Sequence, residues 1–373
     1  MLQRPYMKLA AASLLCVLAV DSRGALADTV YKQTNLISDL PGVAPITDAN
    51  VQNPWGLAYG PTGPFWISNN GTNTSTVYNA ATNTIPLTVS VPGSPTGIAF
   101  NGTTGFKLPT NNQKALFLFA GESGTISGWN GGAAATQVQD MSGSGAIYKG
   151  LAIATVGSAP RLYATNFHNG AVDTFDSSFK YTGSFTDTTV GDGFAPFNVQ
   201  NIGDHLFVTF AKQDAGREDD VAGAGNGFVD EFNPDGTLVR RFASNGTLNS
   251  PWGVALAPAG FGQFGGDLLI GNFGDGRINA FDPTTGSFLG QLQGANGPLT
   301  IEGLWGLKFG NGAAAGPSDT LFFSAGIPGP GGMVEDHGLF GSITAVPEPS
   351  SGLLIVAGLA CVVLLRKRAI SSV

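Results

Sequence analysis

Apolar positions along this chain come in short bursts separated by Gly, Asn, Thr and Asp, and no stretch of the body sustains a 3.6-residue apolar period. The pattern predicts strands and tight turns. One opening recurs: Pro54-Trp55-Gly56-Leu57-Ala58, Pro95-Thr96-Gly97-Ile98-Ala99, Tyr148-Lys149-Gly150-Leu151-Ala152, Pro196-Phe197-Asn198-Val199, Pro251-Trp252-Gly253-Val254-Ala255 and Leu304-Trp305-Gly306-Leu307, at intervals of 41 to 55 residues. Each copy is followed by a second apolar strand, as in Phe65-Trp66-Ile67 and Leu268-Leu269-Ile270. A third then opens on a turn glycine in five copies, as in Gly124-Thr125-Ile126 and Gly276-Arg277-Ile278. A fourth follows in most copies, as in Ile85–Val91 and Leu238–Phe242. Units of this length and strand content are the signature of propeller blades, so the body is predicted to be an all-β, six-bladed β-propeller with four-stranded blades.

The sixth unit reaches its third strand at Gly341–Thr344 and has no fourth of its own. Val30–Leu36 precedes the first unit. It is predicted to pair as the outermost strand of the last blade, covering an open edge and tying the ring shut.

The two ends read differently from the body. Arg4 and Lys8 precede the apolar segment Leu9–Val20, and Ala25-Leu26-Ala27 supplies a small-x-small site, so residues 1–27 are read as a secretory signal peptide cut between Ala27 and Asp28. At the far end, Gly352–Leu365 carries no charge, but it is shorter than the roughly 20 helical residues that cross a ~30 Å hydrocarbon core. A transmembrane helix at about residues 351–365 must borrow its flanks. Arg366, Lys367 and Arg368 follow it and would hold that end, with a cytoplasmic tail at 369–373, on the inner side.

Pro347-Glu348-Pro349, the apolar run and the basic cluster together resemble the C-terminal PEP-CTERM sorting signal of bacterial exosortase substrates. The resemblance implies an exported Gram-negative protein, anchored in the inner membrane by residues 346–368 until an exosortase-type protease removes the tail, and then held in the envelope or outside the cell. The propeller would occupy residues 28–345.

Cys16 and Cys361 both fall in these end segments, so the body has no cysteine and must be held by core burial. Of 18 basic and 26 acidic residues, six basic (Arg4, Lys8, Arg23, Arg366, Lys367, Arg368) and two acidic (Asp21, Glu348) lie in the ends, which leaves a body of net charge −12. That balance argues against nucleic acid as a partner.

The Pro-x-Gly openings, with Asn-Gly or Asp-Gly turns before Gly-x-Ile/Val strands, resemble the repeat of NHL-type six-bladed propellers. Ala211-Lys212-Gln213-Asp214, Asp219-Asp220-Val221-Ala222-Gly223, Gly271-Asn272-Phe273-Gly274-Asp275 and Gly303-Leu304-Trp305-Gly306-Leu307 are similar to strings of an uncharacterised family of exported bacterial propellers. That resemblance implies a fold and a secreted life but no activity.

Candidate chemistry is sparse. Asn69, Asn166 and Asn272 end second strands, and with Glu302 they form a possible polar site at the channel mouth; oxygen ligands of this kind suit Ca²⁺, although asparagine after a strand is also an ordinary turn former. Asp214, Glu218, Asp219 and Asp220 cluster on a glycine-rich loop as a second possible Ca²⁺ site, or as a solvated loop offset by Arg217. Trp55, Trp252 and Trp305 share one repeat position, where they either stack on sugars at the mouth or pack between blades. No nucleophile elbow, zinc-protease helix or phosphate loop is present. The expectation is a binding or structural module associated with exopolysaccharide, by resemblance to other tagged substrates; the alternative is a metal-dependent, lactonase-like hydrolase centred on the channel.

Overall fold

A computed structural model of the chain describes residues 29–347. The expected signal peptide with its Ala27–Asp28 cut, Glu348, Pro349, the expected span at about 351–365 and the Arg366–Arg368 cluster lie outside the described residues. Among the described residues, no helix is long and apolar enough to cross a membrane.

Six four-stranded antiparallel blades form the ring, the last of them carrying a short fifth strand, Ile46–Thr47, in parallel at its outer edge. Their inner strands are Pro54–Ala58, Pro95–Phe100, Tyr148–Val156, Phe194–Ile202, Pro251–Leu256 and Leu304–Phe309. The last blade is completed by the first strand of the chain: Thr29–Ser38 runs antiparallel to Leu339–Pro347, from Thr29 opposite Pro347 to Ser38 opposite Leu339. The closure expected from Val30–Leu36 is therefore present. Its partner strand is longer than the sequence suggested and runs to Pro347, the first residue of the Pro-Glu-Pro string.

Blades pack face to face, and each neighbouring pair encloses its own apolar core. Phe106, Tyr148 and Phe175 fill one, Tyr163, Phe210 and Phe232 another, and Tyr31, Phe261 and Phe323 a third. A separate cluster of Trp55, Phe167, Phe197, Trp252 and Trp305 sits on the central axis.

The repeat motif explains that central cluster. In all six blades the pairing of inner and second strands slips at the same place, between Pro54 and Leu57 in the first blade and between Leu304 and Leu307 in the last. A bulge re-aims the side chain it contains, here the second residue of each recurring opening. The glycine that follows is required by close approach: a Cβ at Gly56 would lie 2.5 Å from the Thr96 carbonyl oxygen, at Gly253 2.6 Å from that of Trp305, and at Gly306 2.5 Å from that of Trp55. Hydroxyls stitch neighbouring blades together, with Thr96 donating to the Tyr148 carbonyl at 2.8 Å and Thr165, on a second strand, to that of Phe197 at 3.1 Å.

Candidate functional site at the channel mouth

The second residues of the six openings are Trp55, Thr96, Lys149, Phe197, Trp252 and Trp305. Four of them are aromatic and fill the channel. The Trp55 and Trp305 rings stack at 3.5 Å, and Trp252 stands edge-on to both at 5.9 and 5.8 Å. Phe273, half-buried in the turn after the fifth blade's second strand, stacks on the outer side of Trp305 at 3.9 Å. The tryptophans are thus packed side chains, as one of the two expectations had it, but they pack on one another across the axis rather than between blades.

Lys149 breaks this aromatic ring. It is 1% exposed, and its ammonium lies 5.2 Å from the Trp55 ring centre and 5.9 Å from that of Phe167. A buried ammonium requires counter-charge. Glu122, from the turn after the second blade's second strand, forms an ion pair with it, and Asp219 reaches in from the long loop of the fourth blade at 3.3 Å. Burial pulls the Lys149 pKa down, but the charge and hydrogen bond of Glu122, then the charges of Asp219 and Glu335, more than offset that and leave it raised. The Lys149 ammonium is thus held between two carboxylates.

Around this pair the polar groups are interlocked. Asn70 donates to Glu122 Oε2 at 2.7 Å. Asn53 donates to Glu335 Oε1 at 3.0 Å and accepts from the Trp305 indole at 3.1 Å. Asn53 and Glu335 both hold left-handed backbone, at φ +43° and +80°, a conformation that costs non-glycine residues free energy and persists where the surroundings impose it. Burial pushes the Glu335 carboxyl up to about 7, with the Asn53 hydrogen bond and Lys149 opposing, and pushes Asp220, beside Ser250, up to about 6.

A carboxyl whose pKa is higher folded than unfolded binds more protons in the native state, so stability falls as pH rises from the unfolded value towards the folded one. For Glu335 that window runs from about 4.5 to about 7. Glu335→Gln should therefore stabilise the protein by on the order of 1–3 kcal/mol at pH 8 and change little at pH 4, as read from urea denaturation at the two pH values. Equal effects at both would refute the assignment.

The residues singled out by sequence fall elsewhere. Asn69 donates to Thr74 and Thr76 at 3.0 and 2.7 Å, Asn166 to Asp173 at 2.9 Å, and Asn272 to the Thr247 carbonyl at 2.7 Å and to Asp275 at 3.1 Å. All three brace the turns between second and third strands. Glu302 is exposed in the loop before the sixth inner strand. The amide groups of the three asparagines are thus engaged in these turns, while Glu302 faces solvent. Asp214 accepts from the backbone amides of Glu218 and Asp219 at 2.9 and 3.4 Å and so shapes its own loop, while Glu218 is exposed. Of that acidic loop, Asp219 and Asp220 do approach the mouth, where the cation they face is Lys149. Among the described residues no three His, Cys, Asp or Glu side chains form a metal-binding group. Lys149, Glu122, Asn53 and Glu335 were missed in the sequence, although a signal for the first was present: a lysine at the repeat position that is otherwise aromatic or threonine.

Comparison with known proteins adds three findings. Residues 345–368 match the PEP-CTERM protein-sorting motif, which implies export, membrane anchoring before cleavage and processing by an exosortase-type system. The chain is 35% identical over 306 residues to Uncharacterized protein R648 of Acanthamoeba polyphaga mimivirus, covering 75% of this chain and 74% of that one. It is 35% identical over 298 residues to Uncharacterized protein L690 of the same virus, covering 74% and 78%. Similar solved structures include virginiamycin B lyase from Staphylococcus aureus, at 12% identity and a TM-score of 0.50 over 86% of this chain and 100% of that one. A luciferin-regenerating enzyme is similar at 13% identity and a TM-score of 0.50, over 85% and 95%. At such identities the likeness is one of fold, which does not carry activity with it.

Proposed function

The chain belongs to the family of the mimivirus proteins R648 and L690, and we propose that its propeller is a carbohydrate-binding or structural module of the cell envelope or extracellular matrix. The observation that carries this reading is the filled mouth. Where a hydrolase centred on this mouth needs an open cavity with uncommitted ligands, this end of the channel holds stacked tryptophans and a lysine already neutralised by carboxylates. What this end offers a partner is a rim: the half-buried Phe273 ring, the largely exposed Asp219 carboxylate and the partly exposed Glu122. A flat aromatic ring beside carboxylate acceptors suits a polyhydroxylated, uncharged ligand, which stacks C–H groups on the ring and donates hydroxyls to the acids. The sorting motif supports the placement, since it delivers the protein to the compartment where matrix polysaccharide lies.

Retention on immobilised exopolysaccharide from the producing cell tests this. Wild-type protein should be retained, and Phe273→Ala should weaken retention about tenfold, the equivalent of about 1.4 kcal/mol. Undiminished retention of Phe273→Ala would move the binding surface elsewhere. Turnover of a lactone substrate that is lost on Asn272→Ala would instead favour the hydrolase reading.

A further inference from the structure

The opposite end of the channel is open. Two cavities of about 230 and 210 Å³ share Tyr59, Gln200, Asn201 and Lys308 in their walls and lie where the inner strands end. The repeat shows how unusual two of these residues are. At the fifth position of the recurring openings four blades carry alanine, at Ala58, Ala99, Ala152 and Ala255; the fourth blade carries Gln200 and the sixth Lys308. In a ring of equivalent units, such departures put two long polar side chains where the other four blades carry a methyl group, and both line the cavities at this end.

Neither side chain is committed within the protein. Among the described residues the Lys308 ammonium has no ion pair or hydrogen bond; it lies 4.9 Å from the Tyr59 ring centre, and the Tyr59 hydroxyl donates instead to the Phe309 carbonyl at 2.7 Å. Burial alone lowers its pKa, with no charged neighbour contributing. The Gln200 carboxamide likewise has no partner among the described residues. Asn201 spends one amide hydrogen on the Ile153 carbonyl at 2.9 Å and keeps the other. No Asp or Glu lines either cavity, in a body of net charge −12. The contrast with Lys149, which is surrounded by carboxylates, is complete.

We propose that this end of the channel binds a small organic carboxylate, held by the Lys308 ammonium and the Gln200 carboxamide. A single ammonium matches a single negative charge. A phosphate group carries closer to two at neutral pH and would leave charge uncompensated in a partly desolvated cavity. The carboxamide supplies a further donor, and the cavity volume limits the ligand to about the size of a sugar acid. The site lies at the far end of the channel from the Phe273 rim and does not depend on what binds there.

Isothermal titration of the full-length chain in detergent tests the proposal, with acetate and galacturonate as probes and galactose and inorganic phosphate as controls. At least one carboxylate should bind saturably, with Lys308→Met weakening it at least tenfold and Gln200→Ala several-fold. Galactose should not bind at this site. The proposal is overturned if neither carboxylate binds, if phosphate binds more tightly than both, or if binding survives unchanged in Lys308→Met. Should Lys308→Met fail to fold, unchanged affinity in Gln200→Ala overturns it instead.

Discussion

Lys149→Met should destabilise the propeller by about 3–5 kcal/mol, the usual result of removing one partner from a buried ion pair. The methionine keeps most of the volume against Trp55 and Phe167, so the loss is electrostatic. Glu122 would be left facing Asp219 and Glu335 without a cation, in a site where Glu335 already resists ionisation. Against a typical domain stability of about 5–15 kcal/mol, that is a large share. The double variant Glu122→Gln/Lys149→Met separates this from a packing defect. Because an amide in place of the Glu122 carboxylate carries no charge to strand, the double variant should be more stable than the sum of the single effects predicts, by more than about 1 kcal/mol. Strict additivity in urea denaturation would show that Glu122 and Lys149 are not coupled. The pair also has a pH signature: its contribution is fully present below the unfolded lysine pKa, near 10.5, and is lost as pH rises through the elevated folded value.

That a single lysine organises the mouth was not legible from local sequence, and the reason is geometric. The strands, the sixfold repeat and the closing role of the N-terminal segment could be read because alternation and turn chemistry act over a few residues. The partners of Lys149 are separated from it by tens of residues: Glu122 sits in a turn of the preceding blade and Asp219 in a loop of the following one. Only the circular arrangement brings them to one axis. The asparagines Asn69, Asn166 and Asn272 have a local explanation instead. Their regular recurrence reflects a turn requirement repeated in each blade, met by Thr74 and Thr76, by Asp173, and by Thr247 and Asp275. The informative positions in a repeat are the ones that break it, and Lys149, Gln200 and Lys308 all do so on inner strands.

Deleting residues 29–38 should abolish cooperative folding, because this strand belongs to two inter-blade cores as well as to the last sheet. Tyr31 is 1% exposed, donates to the Phe261 carbonyl at 3.1 Å and stacks on Phe264 at 6.0 Å. Ile37 lies in the next core, with Phe65 and Phe322. Truncating either to alanine is worth about 2–5 kcal/mol, and the full deletion adds the lost ladder to Leu339–Pro347 and an open sheet edge that invites pairing with another chain. Thermal unfolding followed by circular dichroism should show no sharp transition for the deletion and a lowered one for Tyr31→Ala. Lys32→Ala, on the exposed side of the same strand, should behave as wild type. A deletion variant that melts like the parent would refute the closure as a source of stability. The position of this strand pair also constrains processing. Its outermost rung joins Thr29 to Pro347, so a signal cut between Ala27 and Asp28 would leave the strand whole, and tail removal would leave the full ladder intact if it falls after Pro347. Trimming either strand end by a few residues inward would begin to open the propeller.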